Sequence, residues 1–169
     1  MKGLRYDVRQ MDAEELPLAD GQFDLVWTWG VIHHSQSTET IVRNMARVLK
    51  PGGSLRMMVY YRPSLVYWVH CGVIRGLLMG ELLRKSVNQI YVDRNDGFFA
   101  RAFNRAEIGQ LLMDLFEDPR MRVVGGKPEL YPIPRTSLKT MLVKATPDWL
   151  ARLILSRWGS MIYVEATLR

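Results

Sequence analysis

Along the chain, apolar and polar positions first alternate in "LRYDVRQ", residues 4–10, where Leu4, Tyr6 and Val8 are set against Arg5, Asp7 and Arg9. That is the periodicity of a strand with one buried face. The polar segment "DAEELPLADGQ" follows, and its Pro17, Asp20 and Gly21 prescribe turns. "FDLVWTW", residues 23–29, is a run of β-branched and aromatic residues that reads as a buried strand, central in a sheet. Ser37 is placed to cap a helix over residues 38–50. Its stripe is Ile41, Val42, Met45, Ala46, Val48 and Leu49, while Arg43, Asn44, Arg47 and Lys50 face water. Pro51, Gly52 and Gly53 end that helix, and "SLRMMVYY" supplies a second buried strand. Residues 23–61 therefore spell strand, helix, strand, the crossover unit of a parallel sheet.

Beyond Pro63 the pattern becomes one long apolar helical stretch, residues 64–85, closed by the polar break "DRNDG". It predicts a helical cap inserted over residues 63–100. Gly72, Gly76 and Gly80 recur at every fourth position, a spacing that brings a helix face close to another backbone. Asn104 and Glu107 form a capping box for a helix bearing Ile108, Leu111, Leu112, Leu115 and Phe116 on one side. "MRVVGG" predicts a strand. Thr146 and Pro147 open a last helix through Trp149, Leu150, Leu153 and Ile154, Gly159 closes it, and "SMIYVEATL" alternates as a final strand.

Composition narrows the class. At 169 residues, 48% of them hydrophobic, the chain is long enough for one compact soluble domain. Cys71 is its single cysteine, which excludes an internal disulfide framework and agrees with a reducing cytoplasm. The first dozen residues have no continuous apolar core, so no leader is expected and the mature chain is read as starting at Met1. The net charge of +6 is uneven: residues 1–25 carry three basic and six acidic side chains, so the surplus of cations lies in the body. Those cations are scattered singly along helical segments without stacking aromatics beside them, which argues against nucleic acid.

The ordered set strand, "DAEELPLADGQFDLV", helix, "RVLKPGG", strand closely resembles the second half of a class I S-adenosylmethionine-dependent methyltransferase of the methyltransferase type 11 group. The detailed match covers residues 4–62. It implies an α/β, incomplete Rossmann-like sheet holding the equivalents of strands 3, 4, 5, 6 and 7 of the usual order 3-2-1-4-5-7-6. The whole chain would be one truncated domain, with S-adenosylmethionine as cofactor and a small molecule as methyl acceptor.

In such sheets the ligand lies across the carboxyl ends of the strands. The resemblance puts Asp12 and Ala13 at one such end, the Asp12 carboxylate accepting from the exocyclic amine of adenine and the Ala13 N–H donating to a ring nitrogen. Asp12 as a simple cap of the turn before Glu14 is the alternative reading. Trp29 and Gly30 would stand beside the methionine half of the cofactor, where glycine permits close backbone approach. His33 and His34 are the candidate proton acceptors, of which adjacent side chains allow at most one to face the site. The alternative makes both of them helix-entry residues bonded to backbone. Tyr60, Tyr61 and Arg62 follow the second strand and would face the acceptor, with Arg62 able to hold a carboxylate or phosphate. They read equally well as strand-end residues leaning on the cap. His33, His34, His70 and Cys71 lack the i, i+4 ligand spacing, so no metal is assigned.

Complete members of this family open with a strand and a G-x-G turn, then a second strand ending in an acid that grips the ribose. The thirteen glycines here include the adjacent pairs 52/53 and 125/126, but no two separated by one residue. The chain is therefore expected to begin at the third strand, leaving the Phe23 strand as an apolar edge. Three readings follow. The chain is the C-terminal part of a methyltransferase whose other part comes from elsewhere; or it is a non-catalytic module pairing its open edge with a partner chain or its own copy; or it is a membrane-surface protein whose cap helix collects a lipid or quinone-like acceptor. The cap run is interrupted by Arg75 and falls short of the ~20 apolar residues of a membrane span.

Overall fold

The computed structural model describes residues 6–95, 99–133 and 136–169. Four strands, β1 (Phe23–Trp29), β2 (Leu49–Tyr60), β3 (Phe116–Val124) and β4 (Met161–Leu168), form one sheet in the order β1-β2-β4-β3. β1 and β2 are parallel, and β4 runs antiparallel to both β2 and β3. The order and directions match the 4-5-7-6 part of the order that the resemblance implies, while no equivalent of strand 3 is found among the described residues. The helix predicted between β1 and β2 is α1, Thr38–Val48. Its N-cap is Ser37 as expected, but the Ser37 side chain makes no capping bond; the Ser37 N–H instead donates to Ser35 Oγ at 2.8 Å.

Register explains the core. Val26 and Thr28 of β1 pair with Leu55 and Met57 of β2, and Met57 and Val59 pair with Val164 and Ile162 of β4. These residues line one face of the sheet. Ile41 and Met45 of α1 pack on it together with Ile108 and Leu112 of α3 (Arg105–Leu112), and all four are buried. The capping box predicted for α3 is present: Asn104 Oδ1 accepts from the Glu107 N–H at 2.9 Å, and Glu107 accepts from the Asn104 N–H at 2.7 Å. At the turn into β2, Gly52 has φ +75°, and a Cβ on Gly53 would lie 2.8 Å from the Lys50 carbonyl oxygen. A side chain there would force the two strands apart.

Several expectations need correction. Of the predicted first strand, Leu4 and Arg5 lie outside the described residues, and residues 6–12 form no strand. Tyr6 and Val8 are almost fully exposed. Strand periodicity produces a strand only when another backbone pairs with it, and β1's outer edge gives no such partner here. β1 is an edge strand, as expected from the missing G-x-G half, and not the central strand that its hydrophobic run alone suggests. Its alternate residues Phe23, Leu25, Trp27 and Trp29 are 39–54% exposed on the sheet face opposite α1, so the expected burial of Leu25 does not occur.

The last predicted helix exists as α5, Asp148–Trp158, but it buries Ala151 and Leu155 and leaves Trp149 and Leu153 exposed. A short turn, Lys127–Leu130, and α4 (Ser137–Ala145) precede it, neither of them predicted from the pattern.

Residues 64–95 are helical, as a π-helix (Val66–Leu78), a short turn (Glu81–Leu83) and α2 (Val87–Asn95). The polar "DRN" expected to break the helical run instead ends α2, while Asp96 and Gly97 lie outside the described residues. Tyr67 and Cys71 of the π-helix and Ile90 and Tyr91 of α2 make a second, smaller core. Of the three spaced glycines, Gly76 is the close contact: its Cβ would lie 2.8 Å from Leu82 Cγ. Gly80 takes φ +75° in a turn, and Gly72 faces only atoms of its own helix.

Two substitutions test this packing. Met45→Asp places an unpaired charge beneath the sheet and should remove more than about 4 kcal/mol, enough to unfold a marginally stable domain. Unchanged solubility and thermal melting would show that α1 does not cross β1 and β2. Gly76→Leu overpacks the Leu82 contact and should cost about 1–3 kcal/mol, seen as a lowered melting temperature. A neutral result would mean that the π-helix and the 81–83 turn do not touch.

Candidate functional site

The loop carrying Asp12 has no regular structure of its own, and α1 holds it in place. Asn44 Nδ2 donates to the carbonyls of Ala13 and Glu14 at 3.3 and 2.7 Å. Arg47 donates to the carbonyls of Leu18 and Leu16 at 2.6 and 2.8 Å and pairs with Asp20 at 2.6 Å. Ser35 Oγ donates to Glu14 Oε1 at 2.5 Å. The pattern assigned Asn44 and Arg47 to solvent. Their task could be suspected only from the length of unsupported backbone, with its unpaired carbonyls, that precedes β1.

So anchored, Asp12 and Ala13 border an open cleft of about 550 Å³ whose other walls are Val31, His34, Ser35 and Ile41. The cleft lies just past the end of β1. Asp12 also caps its own turn, since its Oδ1 accepts from the Glu14 N–H at 2.8 Å. A carboxylate has lone pairs for further donors, so the two readings of this residue are compatible. Gly30 sits at the end of β1 with φ +72°, a conformation that disfavours any side chain.

The short turn Ile32–His34 separates the two histidines. His34 is half-buried and lines the cleft; its Nδ1 lies 2.9 Å from the Phe99 carbonyl oxygen. A carbonyl only accepts, so Nδ1 is the donor in this contact. His33 is fully buried. Its ring stacks on Tyr60 at 4.0 Å, and neither ring nitrogen has a hydrogen-bond partner among the described residues. Burial, reinforced by the neighbouring His34, pushes its pKa down to about 3, so at neutral pH His33 is an uncharged aromatic wall.

The remaining expected residues are dispersed. Trp29 does not line the cleft: it stacks on Trp27 at 5.6 Å, on the exposed sheet face beside Tyr163. Tyr61 is buried in the main core, bridged to Phe103. Arg62 is held by Glu107 at 2.7 Å, and that carboxylate also closes the α3 capping box. Burial pushes Glu107 up, but the Asn104 N–H and the Arg62 guanidinium outweigh it and hold the carboxyl below its ordinary range. Tyr60 alone of the three reaches toward the site, wedged between His33 and the edge of Tyr91 at 5.6 Å. A separate cleft of about 520 Å³ lies between β3 and α5, lined by Val123, Lys127, Asp148 and Leu155, and shares none of these residues.

Comparison with known proteins agrees with this geometry. Residues 1–57 match the family model described as a methyltransferase domain. An uncharacterized methyltransferase of Synechocystis is 34% identical over 79 residues, which are 45% of this chain and 37% of that protein. The ubiquinone/menaquinone biosynthesis C-methyltransferase of Azotobacter vinelandii is 38% identical over 65 residues, 37% of this chain and 26% of that enzyme. Among solved structures, a SAM-dependent methyltransferase of Thermotoga maritima, described as a possible histamine N-methyltransferase, superposes with a TM-score of 0.57. It is 22% identical over 93% of this chain and 61% of its own. Residues 1–57 are thus similar to a methyltransferase domain, and the sheet shares the fold of solved methyltransferases. The chain spans well under half the length of those two sequence relatives in the aligned regions.

The burial of His33 gives a pH prediction. Its folded pKa of about 3 lies below the ordinary 6.5, so between these values the unfolded chain binds the extra proton. The stabilisation is complete above pH 6.5 and falls as pH drops toward 3, by up to about 1.4 kcal/mol per pH unit. His33→Phe keeps the stack on Tyr60 and gives up no hydrogen bond. It should therefore fold and show a shallower loss of melting temperature between pH 6.5 and 4 than the parent. Parallel profiles for the two proteins would refute the assignment of a neutral, buried His33.

Proposed function

We propose that this protein takes part in S-adenosylmethionine-dependent methyl transfer to a small-molecule acceptor, with the cleft beside Asp12 and His34 as the adenine-to-acceptor side of the site. The observation that carries the reading is convergence: a loop pinned by Asn44 and Arg47, the positive-φ Gly30 and the His34 turn meet at the carboxyl end of β1. That is where a doubly wound sheet receives its ligand. The residues fit one end of the cofactor. Asp12 would accept from an exocyclic amine and the Ala13 N–H would donate to a ring nitrogen, a pair that reads the adenine edge. No G-x-G turn is present in the sequence to approach the other end, and the cleft is open.

The cofactor supplies a methyl group activated on a sulfonium. His34 would take the proton that an O–H or N–H acceptor loses as it gains the methyl, and His33 with Tyr60 would form the dry aromatic wall beside it. The helical segment 66–95 acts in this reading as a cap on the acceptor side, because Tyr91 closes on Tyr60. Polypeptide beyond these 169 residues would complete the cradle at the unpaired edge of β1 and over its bare face. Phe23, Leu25, Trp27 and Trp29 there present the apolar surface that an added strand and helix would cover. The same surface favours a second reading, in which the chain is a non-catalytic module that uses this edge to hold a partner.

Titration calorimetry with S-adenosylhomocysteine separates the two. The 169-residue chain alone should bind only in the millimolar range, about 4 kcal/mol weaker than a micromolar site. Asp12→Ala should weaken that binding further, by about tenfold. A micromolar constant would overturn the incomplete cradle, and binding indifferent to Asp12→Ala would overturn the adenine site itself.

A further inference from the structure

The π-helix has an unusual distribution of side chains for a surface element. Bonds from i to i+5 widen the turn to about 4.4 residues, and that spacing sorts its side chains into two stripes. Tyr67, Cys71 and Gly76 fall on the stripe packed against α2 and the 81–83 turn. Trp68, Val73 and Leu77 fall on the opposite stripe and face water. The exposed stripe continues through the turn that follows, where Leu78 is 77% and Leu83 89% exposed. Apolar side chains on both the packed and the exposed side, with His70 and Arg75 between them, are the pattern of a helix that covers a second apolar phase. This one has 13 residues, and no described helix is long and apolar enough to cross a membrane.

Charge separates a bilayer from a protein partner. Between residues 64 and 92 the only acidic residue is Glu81, and Arg75 grips it with both ends of its guanidinium, at 2.7 and 2.9 Å. Arg84 and Lys85 follow directly on Leu83; Lys85 is paired with Asp93 at 2.6 Å, so Arg84 is the cation that borders the apolar turn, and the exposed stripe itself carries no acid. That arrangement complements anionic headgroups. A cleft of about 590 Å³ lies beside the turn, lined by Arg75, Glu81, Leu83 and Arg84 among others, but Trp68, Val73, Leu77 and Leu78 lie outside it and form a convex helix face. Trp68, half exposed at the other end of the stripe, is the residue type that settles at a membrane–water boundary.

We propose that the outer face of the π-helix and its following turn, through Trp68, Val73, Leu77, Leu78 and Leu83, docks this protein on the surface of an anionic phospholipid bilayer. Docking there places the inner face of the same helical segment over the end of β2, since Tyr67 and Tyr91 pack together and Tyr91 meets Tyr60. An acceptor dissolved in the lipid phase then reaches the aromatic wall without crossing bulk water. The acceptor class rests on the methyl-transfer reading of the site, but the docking does not.

Vesicle co-sedimentation tests the docking without any activity measurement. The 169-residue protein should pellet with phosphatidylcholine vesicles containing phosphatidylglycerol, and much less with phosphatidylcholine alone. The doubly substituted Leu77→Glu, Leu83→Glu protein should lose binding about tenfold or more. Both leucines are exposed, so its thermal melting should match the parent's. Arg84→Gln should reduce the preference for phosphatidylglycerol while leaving the weak binding to neutral vesicles. A parent protein that stays in the supernatant with both vesicles overturns the proposal. So does binding that survives Leu77→Glu, Leu83→Glu, which would come from the bare face of β1 instead. If the double substitution changes only the sedimentation coefficient of a self-associating chain, the stripe is a contact between copies and the proposal fails.

Discussion

A parallel pair of strands cannot be closed by a hairpin, and the β1–β2 pair obtains its crossover from α1 alone. Every part of the candidate site inherits its position from that crossover. α1 buries Ile41, Val42 and Met45 under the pair, and so its opposite side is turned toward the chain that precedes β1. Asn44 and Arg47 on that side gather the carbonyls of residues 13–18. The return into β2 is equally constrained: Gly53 lies where a Cβ would also come within 3.3 Å of the Asp24 carbonyl oxygen, so the strands close only around glycine. The sheet, the pinned loop and the histidine turn are one mechanical unit.

The elements that could be read from the sequence were those whose pattern carries its own physical reason. β1, α1 and β2 have unambiguous periods and strong breakers between them, and the α3 capping box is a local motif that needs no tertiary context. Residues 4–10 have an equally clean alternation, yet the described part of that segment is no strand, because pairing depends on a partner that a local pattern cannot supply. α2 escaped notice for a different reason. Its buried residues Ile90, Tyr91 and Val92 are consecutive, so the apolar positions trace no stripe. In α5 the large residues Trp149 and Leu153 drew the predicted face, whereas the sheet edge accepts the narrower Ala151 and Leu155.

The site was legible to the same extent. The motif around Asp12 and Ala13 and the turn holding His33 and His34 could be located, and the cleft unites Asp12, Ala13 and His34. What no spacing rule revealed is the division of labour between adjacent histidines, which depends on Tyr60 covering one ring and Phe99 anchoring the other. Arg62 is a similar case: a free cation in the sequence becomes half of an ion pair once the α3 capping carboxylate swings beneath it.

The two exposed apolar surfaces are not equivalent, and their chemistry explains why. On β1 the exposed residues alternate along a strand whose backbone N–H and C=O groups on that edge pair with no other strand among the described residues, so a covering group must offer hydrogen bonds as well as apolar area. Only another polypeptide does both. Trp27 and Trp29, stacked with an interplanar angle of 5° and flanked by Tyr163, give such a polypeptide a flat aromatic platform. On the π-helix the backbone is already satisfied by its own i to i+5 bonds, so its outer face asks a partner for nothing except removal from water. A fluid hydrocarbon phase meets that demand with no requirement for shape, and Arg84 at the end of the turn supplies the orientation that apolar contact cannot. A strand edge that needs hydrogen bonds and a helix face that needs none thus call for different partners, and each can be occupied without competing for the other.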